Sequence, residues 1–213
     1  MPRMTAEHDL TPTQREMDGR DWSFGGTWPY EPRWLFTDGV RLHYVDEGSP
    51  DVEPVLLLHG TPYWSYAFRR EIAELAATGW RAIAYDQLGF GRSDKPERES
   101  EYGLERDVAH LRALVDELGA GTVALVARGS SIPIARTYAS SEPTRVTRLE
   151  EREESPPPDL LRAPILGRLL LKAARLDIRR APLSEEERAA YLAPHPSWAS
   201  RSGIVAALRR EAA

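Results

Sequence analysis

Short apolar runs alternate with amphipathic stretches along the first two thirds of the chain. Residues 55–58, 81–85 and 123–127 are almost wholly apolar, which is typical of strands that are buried on both faces of a parallel sheet. Between these runs, residues 66–77 and 104–118 carry apolar side chains at helical spacing. The alternation of strand and helix predicts an α/β fold with a mostly parallel sheet and helices on both faces.

A hairpin is predicted ahead of these units. The dipeptide Asp38-Gly39 is a strong two-residue turn signal, and it is flanked by apolar residues at 34–36 and by alternating apolar residues over 40–44. The preceding residues 1–20 are polar and have no apolar core, so we expect a flexible N-terminal tail there. The folded core is expected over residues 21–150.

The hydrophobic pattern weakens after residue 145. A strand is expected from Val146 to Glu153, but this stretch reads VTRLEERE, which is charged where a sheet interior requires apolar residues. Helical patterns follow over 159–176 and after the capping box at 184–187. We therefore expect a helical, cap-like region over residues 151–213 and an incomplete C-terminal part of the sheet. An incomplete sheet would leave an open edge and uncovered apolar surface.

Composition narrows the classes of partner. The chain has 213 residues, 41% of them hydrophobic, and a net charge of −5, which is ordinary for a soluble globular protein and favours neither nucleic acid nor an anionic membrane as a partner. The sequence contains no cysteine, which excludes disulfides and is compatible with a cytoplasmic location. No metal site and no cofactor are expected. The glycines at 89 and 91 follow a strand but lack the third glycine of a dinucleotide-binding loop.

The most informative segment is residues 122–139, TVALVARGSSIPIARTYA. An apolar strand leads into a tight turn, and Pro133 then stands where the first turn of a helix accepts proline. Strand, sharp turn and helix form the layout of a nucleophile elbow, which presents one reactive side chain above a parallel sheet. At the apex, where a nucleophile is expected, the sequence has Gly129. The segment therefore predicts the architecture of an enzyme without its attacking group.

Four further stretches extend this picture. They read GVRLHYVDEG (39–48), VLLLHGTPYWSYAFRR (55–70), AYDQLGFGRSDKP (84–96) and PIARTYASSEPTRV (133–146). With these motifs the sequence resembles the α/β-hydrolases, and among them the haloalkane dehalogenases. The resemblance implies hydrolysis of a carbon–halogen bond in a small apolar substrate. In that reaction an elbow carboxylate forms an ester, which water activated by a histidine then hydrolyses.

The resemblance also assigns the site residues. The nucleophile position falls on Gly129, and the backbone N–H groups of the oxyanion hole fall on Thr61, after Gly60, and on Ser130. Thr61 and Ser130 also depart from the family pattern, which has Asn and Trp at these positions as donors to the halide. By spacing, the acid that orients the catalytic histidine is Glu153. The family's histidine lies near the C terminus, beyond the end of this sequence, so we expect a truncated and inactive or severely impaired enzyme.

Several interpretations of these residues remain open. Ser130 is either a displaced nucleophile or, with Ser131, a cap of the following helix. Arg128 beside that helix N-terminus could hold a small anion. Residues 150–154 supply either a catalytic acid or a solvated charge run. An active hydrolase, a noncatalytic protein that binds a ligand or partner, and an inactive altered product are the three competing functions.

The histidines offer no obvious catalytic base. We expect His59 to shape the loop that contains it. His43 is predicted to be exposed on its strand, and His110 is predicted to lie on the polar side of its helix. His195, which lies between two prolines, is expected at the surface.

Overall fold

The computed structural model describes residues 17–154, 183–197 and 199–211. The strands of the described residues are β1 (Arg33–Thr37), β2 (Val40–Glu47), β3 (Pro54–Leu58), β4 (Arg81–Tyr85), β5 (Val123–Arg128) and β6 (Val146–Arg152). Their α-helices are α1 (Arg69–Ala77), α2 (Leu104–Glu117), α3 (Ile132–Ser141), α4 (Glu185–Leu192) and α5 (Ser202–Glu211). Strand and helix alternate from β3 to β6, as the hydrophobic pattern predicted.

The six strands form one sheet in the order β1-β2-β4-β3-β5-β6. The pairs β1–β2 and β2–β4 are antiparallel, and the remaining pairs are parallel. The predicted mixed, mostly parallel sheet is therefore confirmed. The carboxyl ends of β3, β4 and β5 meet at one edge, which is where open α/β sheets place their ligand sites.

Helices cover both faces of this sheet. On β3, Leu56 and Leu58 point to one face and pack in a core cluster with Leu111 of α2. Leu57 points to the other face and packs in a second cluster with Ile72 of α1. Because successive side chains of a strand point to opposite faces, an apolar run such as β3 requires two cores, and the chain supplies both.

The predicted hairpin is also confirmed. Asp38 and Gly39 have φ angles of 48° and 70°, as a two-residue turn with both central residues in the left-handed region requires. The turn sets the register, in which Thr37 lies opposite Val40. The helix predicted over 66–77 is a 3-10 turn at Ser65–Phe68 followed by α1.

Strand β6 explains the charged sequence after residue 145. It pairs with β5 and is the last strand in the order of the described sheet, so its charges need not enter a sheet interior. Arg136 pairs with Glu151 at 2.6 Å, and Arg152 pairs with Glu150 at 2.8 Å. The strand ends at Arg152, two residues beyond the expected boundary of the core.

Two helices of the described C-terminal region pack onto the core. The capping box at the start of α4 is confirmed, because Ser184 Oγ accepts a hydrogen bond from the Glu187 N–H at 3.2 Å. Trp64 Nε1 donates to the Ala190 carbonyl of α4 at 3.0 Å. Helix α5 packs against Phe90 through the apolar residues Ile204, Ala207 and Leu208. The helix predicted over 159–176 lies outside the described residues.

The predicted tail, residues 1–20, lies mostly outside the described residues. Of its last four residues, which the structure describes, Met17 and Asp18 contact the body of the protein. Met17 is 2% exposed, and its carbonyl accepts a hydrogen bond from Trp22 Nε1 at 2.8 Å. Asp18 pairs with Arg41 at 2.9 Å. The apolar Met17 side chain fits an aromatic cluster, so the folded part begins at or before residue 17.

Candidate active site

The nucleophile elbow is present as a backbone feature. Strand β5 ends at Arg128, a 3-10 turn covers Gly129–Ser131, and α3 begins at Ile132. Gly129 has a φ of 47°, the left-handed conformation that glycine adopts without strain and that the apex of a nucleophile elbow uses. Pro133 occupies the first turn of α3, as predicted. The turn is thus built for presenting a side chain, although Gly129 has none to present.

A carboxylate from another element fills the space beside Gly129. A Cβ placed on Gly129 would lie 2.6 Å from Glu154 Oε2, and a Cβ placed on Gly60 would lie 2.1 Å from the same oxygen. Neither position accepts a side chain without displacing Glu154. Glu153, to which the resemblance assigned the orienting acid, has an exposed side chain. The carboxylate at the elbow therefore comes from Glu154, one residue further along the chain.

The two residues assigned to the oxyanion hole contact each other. The Thr61 N–H donates to Ser130 Oγ at 2.8 Å, and the two hydroxyl oxygens are also 2.8 Å apart. The N–H group that is expected to receive a developing oxyanion is therefore bound to the Ser130 hydroxyl. Both residues are partly exposed, so solutes can reach them.

The serines do not cap helix α3, contrary to one interpretation of the sequence. Ser131 is the N-cap residue, but its side chain makes no capping hydrogen bond. Instead its hydroxyl accepts from the Arg128 N–H at 3.0 Å and donates to the Leu58 carbonyl at 2.9 Å. Ser131 is buried, and it fastens the elbow to the end of β3.

A buried carboxylate that sequence reasoning missed lies at the carboxyl end of β4. Asp86 follows β4, is 0% exposed and lies 2.7 Å from His43 Nδ1. It also accepts hydrogen bonds from the backbone N–H groups of Ser65 at 2.9 Å and Arg92 at 2.8 Å. Burial acts to raise the pKa of Asp86, but the interactions with His43 and His59 and the hydrogen bond from the Arg92 N–H together hold the pKa well below its usual range. Asp86 is therefore the ionised centre of this network.

His43 is buried, so the expectation of an exposed histidine is wrong. Burial lowers its pKa, which favours a neutral ring with a proton on Nδ1 that donates to Asp86. Both faces of β2 are covered: the His43 ring packs against Trp34 at 5.3 Å, and the His43 N–H donates to Ser93 Oγ at 2.8 Å. A local hairpin pattern contains no information on these distant partners.

The loop after β4 wraps closely around the Asp86 carboxylate. A Cβ placed on Gly91 would lie 2.0 Å from the Asp86 carboxyl carbon, so this position requires glycine. His59 joins the same loop to the end of β3: its Nε2 accepts from the Gln87 N–H at 3.1 Å, and its carbonyl accepts from Gln87 Nε2 at 2.6 Å. As predicted, His59 shapes the loop that contains it.

Two further histidines are buried where the sequence suggested exposure. His195 is 2% exposed, and its Nδ1 lies 3.0 Å from the Ser200 carbonyl oxygen. His110 of α2 is also 2% exposed. The expectations of a surface His195 and of a His110 on the polar side of its helix are both wrong, because α2 and the segment before α5 are covered more completely than their own patterns indicate.

A groove among the described residues lies away from the elbow. It has a volume of 590 Å³ and follows the sheet face between α1 and β6. Its apolar lining comes from Val55, Leu57, Leu75, Trp80, Ala124, Leu125 and Val126. Arg128, which leads into the elbow, pairs with Glu71 beside this groove and stacks over the Phe68 ring at 4.4 Å.

Within residues 17–154, 183–197 and 199–211, no group of three or more His, Cys, Asp or Glu side chains is arranged to hold a metal ion. None of the helices in those ranges has the length and apolarity needed to cross a membrane.

The sheet order, the elbow after β5 and the HG loop after β3 are those of the α/β-hydrolase fold. Consistent with this, residues 53–149 match the family model described as the alpha/beta hydrolase fold. A haloalkane dehalogenase from Psychrobacter cryohalolentis is 36% identical over 144 residues, which cover 65% of this chain and 46% of the relative. A haloalkane dehalogenase from Mycolicibacterium paratuberculosis is 35% identical over 180 residues, which cover 78% and 59%. The chain is haloalkane dehalogenase-like.

Solved structures agree with this assignment. The crystal structure of haloalkane dehalogenase DbeA from Bradyrhizobium elkani superimposes with a TM-score of 0.74 at 29% identity, covering 84% of this chain and 68% of that one. The chain spans only about half to three fifths of the length of these curated relatives, 46% of one and 59% of the other.

Proposed function

We propose that this chain binds small halogenated apolar molecules in the manner of a haloalkane dehalogenase, but that its turnover by an elbow nucleophile is severely impaired. The observation that carries the proposal is Gly129, which has the left-handed apex conformation at a φ of 47° but offers no attacking group. Loss of a nucleophile alone lowers the rate by several orders of magnitude. The names of the relatives support the substrate class.

The contact between Thr61 and Ser130 supports the impairment independently. A negative charge that develops during bond breaking needs N–H donors that are free to receive it. Here the Thr61 N–H donates to Ser130 Oγ at 2.8 Å, so a leaving halide or oxyanion would first have to displace that hydroxyl. The same contact favours the second candidate, a noncatalytic protein that binds a ligand or partner at this site. A cytoplasmic location remains a prediction.

Binding and turnover of a bromoalkane test the proposal separately. Binding of 1-bromohexane would be followed by tryptophan fluorescence, and bromide release would be compared with that of the Psychrobacter cryohalolentis enzyme. We expect saturable binding, no more than one bromide released per chain, and sustained turnover at least about 10⁴-fold below that of the relative.

Sustained bromide release would contradict the proposed impairment. If that release were lost in Ser130→Ala but retained in Glu105→Gln, an exposed control, Ser130 would be the displaced nucleophile. Failure of 1-bromohexane to bind would overturn the proposed ligand class.

A further inference from the structure

The space above the elbow is occupied by a carboxylate. Glu154 lies two residues beyond the end of β6 at Arg152, and its Oε2 reaches between the HG loop and the elbow. A Cβ on Gly129 would lie 2.6 Å from this oxygen and 3.2 Å from Glu154 Cβ. The Glu154 carboxylate therefore stands where a side chain projecting from the elbow would stand.

The surroundings favour a charged and accessible carboxylate at this position. The elbow turn leads directly into the ten-residue helix α3, whose N-terminal backbone dipoles stabilise a nearby negative charge. Glu154 is partly exposed, as are Gly129 and Ser130, so a small molecule can approach.

We propose that Glu154 is the carboxylate nucleophile of this site. One carboxylate oxygen of Glu154 attacks the halogen-bearing carbon of a primary bromoalkane and forms a carbon–oxygen bond. The carbon–bromine bond breaks as this bond forms, and bromide leaves with the bonding electron pair. The products are an alkyl ester of Glu154 and one bromide ion. The nucleophile then comes from the segment after β6 and not from the elbow. The substrate class, a bromoalkane, is taken from the function proposed above.

The fate of the ester follows from the described histidines. Hydrolysis of an alkyl ester at neutral pH requires a base that activates water. The rings of His43, His59 and His195 are already engaged, by Asp86, by the Gln87 N–H and by the Ser200 carbonyl respectively. His110, the remaining histidine of the described residues, is buried and lies 3.8 Å from Asp38 of the β1–β2 turn. Each histidine of the described residues is thus engaged or buried, so under this proposal the ester accumulates and each chain reacts with about one bromoalkane.

Mass spectrometry of the alkylated protein tests this proposal. The protein would be incubated with 1-bromohexane, quenched in acid, and analysed as the intact chain and as peptides. We expect one hexyl group per chain, located on Glu154. Glu154→Gln keeps the size of the side chain but removes the nucleophile, so labelling should fall by at least about 100-fold. Glu105→Gln, at an exposed position of α2, should label like the parent chain.

The outcomes separate this proposal from the proposed function. If 1-bromohexane binds to the parent chain and to Glu154→Gln but neither is alkylated, the assignment of Glu154 is wrong and the proposed ligand class stands. Labelling that persists in Glu154→Gln or maps to Ser130 also overturns the assignment. If 1-bromohexane does not bind at all, both proposals fail. Glu154→Asp, which retains the charge but loses reach, should label more slowly than the parent and provides a second variant if Glu154→Gln does not fold.

Discussion

At the scale of single residues, two glycines create the space that Glu154 fills. Gly60 and Gly129 belong to different loops, yet a Cβ on either would approach the same carboxylate oxygen to 2.1 or 2.6 Å. Gly129 has the additional constraint of a φ of 47°, which L-residues adopt at a cost. Glycine at position 129 is thus required by its own backbone and by its neighbour.

Substitution of Gly129 by alanine should destabilise the protein by about 1–3 kcal/mol, because the methyl group meets both backbone strain and the Glu154 side chain. Urea denaturation at neutral pH would measure the loss. Gly121→Ala is the matched control, since a Cβ there meets open space, and it should change stability by less than about 0.5 kcal/mol. Equal losses in the two variants would contradict this account of Gly129.

A second residue-scale feature is the burial of His110. Neither of its ring nitrogens has a hydrogen-bond partner among the described residues. Burial, assisted by the positive charge of Arg106, lowers its pKa from 6.5 to about 4, although Asp38 acts in the opposite direction. The folded protein therefore resists protonation of His110, whereas the unfolded chain accepts the proton near pH 6.5.

The free energy of unfolding should consequently be unaffected by His110 above about pH 6.5, and it should decline as the pH falls toward about 4. Near pH 5 this effect of His110 lowers the free energy of unfolding by about 2 kcal/mol. His110→Gln removes this titration, so the difference in unfolding free energy between pH 7 and pH 5 should shrink by about that amount. Urea denaturation of both proteins at the two pH values tests it, and an unchanged difference would show that His110 does not titrate as described.

At the scale of elements, strand ends and loops define the site, and they differ in how far the sequence predicted them. Strands β3 and β5 are buried on both faces, so their apolar runs identified them directly. Spacing alone did not predict that the side chain of Glu154, and not that of Glu153, lies beside the elbow. The pairing of β5 with β6 shifts register between Val123 and Ala124, and such a shift changes which residue faces inward.

The loop after β4 shows the same limit, because its centre is a contact between distant elements. Asp86 joins β4 to His43 of β2 and to the N–H groups of Ser65 and Arg92. The motif in the sequence indicated a loop, but not that its glycine and serine residues enclose a buried charge. Tertiary hydrogen bonds, and not local preference, determine that conformation.

Replacing Asp86 by asparagine should therefore lower stability by about 3 kcal/mol or more, since the buried network loses its negative centre. Thermal and urea unfolding at neutral pH would provide the measurement. Asp51→Asn, an exposed position, is the control and should be near neutral. A small effect of Asp86→Asn would mean that the network tolerates a neutral acceptor.

At the scale of the whole molecule, the sheet separates two hydrophobic cores, and the described helices cover one face of the sheet more completely than the other. One contains Leu56, Leu111 and Tyr138, all fully buried between the sheet and helices α2 and α3. On the opposite face, α1 leaves the groove of 590 Å³ beside Val126 and Trp80, and Trp80 is 48% exposed. The open apolar surface expected from the sequence stays a prediction, and this groove is its most direct structural counterpart.

The groove should bind an uncharged apolar dye such as Nile red in the native state. Leu75→Glu places a charge in its apolar lining and should weaken dye binding by about tenfold, which fluorescence titration would measure. Phe36→Glu removes another exposed apolar side chain, on β1 at the other edge of the sheet, and should leave binding unchanged. Loss of binding in Phe36→Glu alone would place the dye elsewhere.

The overlap between positions 129 and 154 also constrains how this site can change over evolutionary time. An aspartate acquired at Gly129 while Glu154 is present would force two like charges into nearly one volume, since even a Cβ there comes within 2.6 Å of Oε2. Loss of the Glu154 side chain first would vacate that volume. The Glu154 side chain must therefore turn away or be replaced before an elbow carboxylate can occupy that volume.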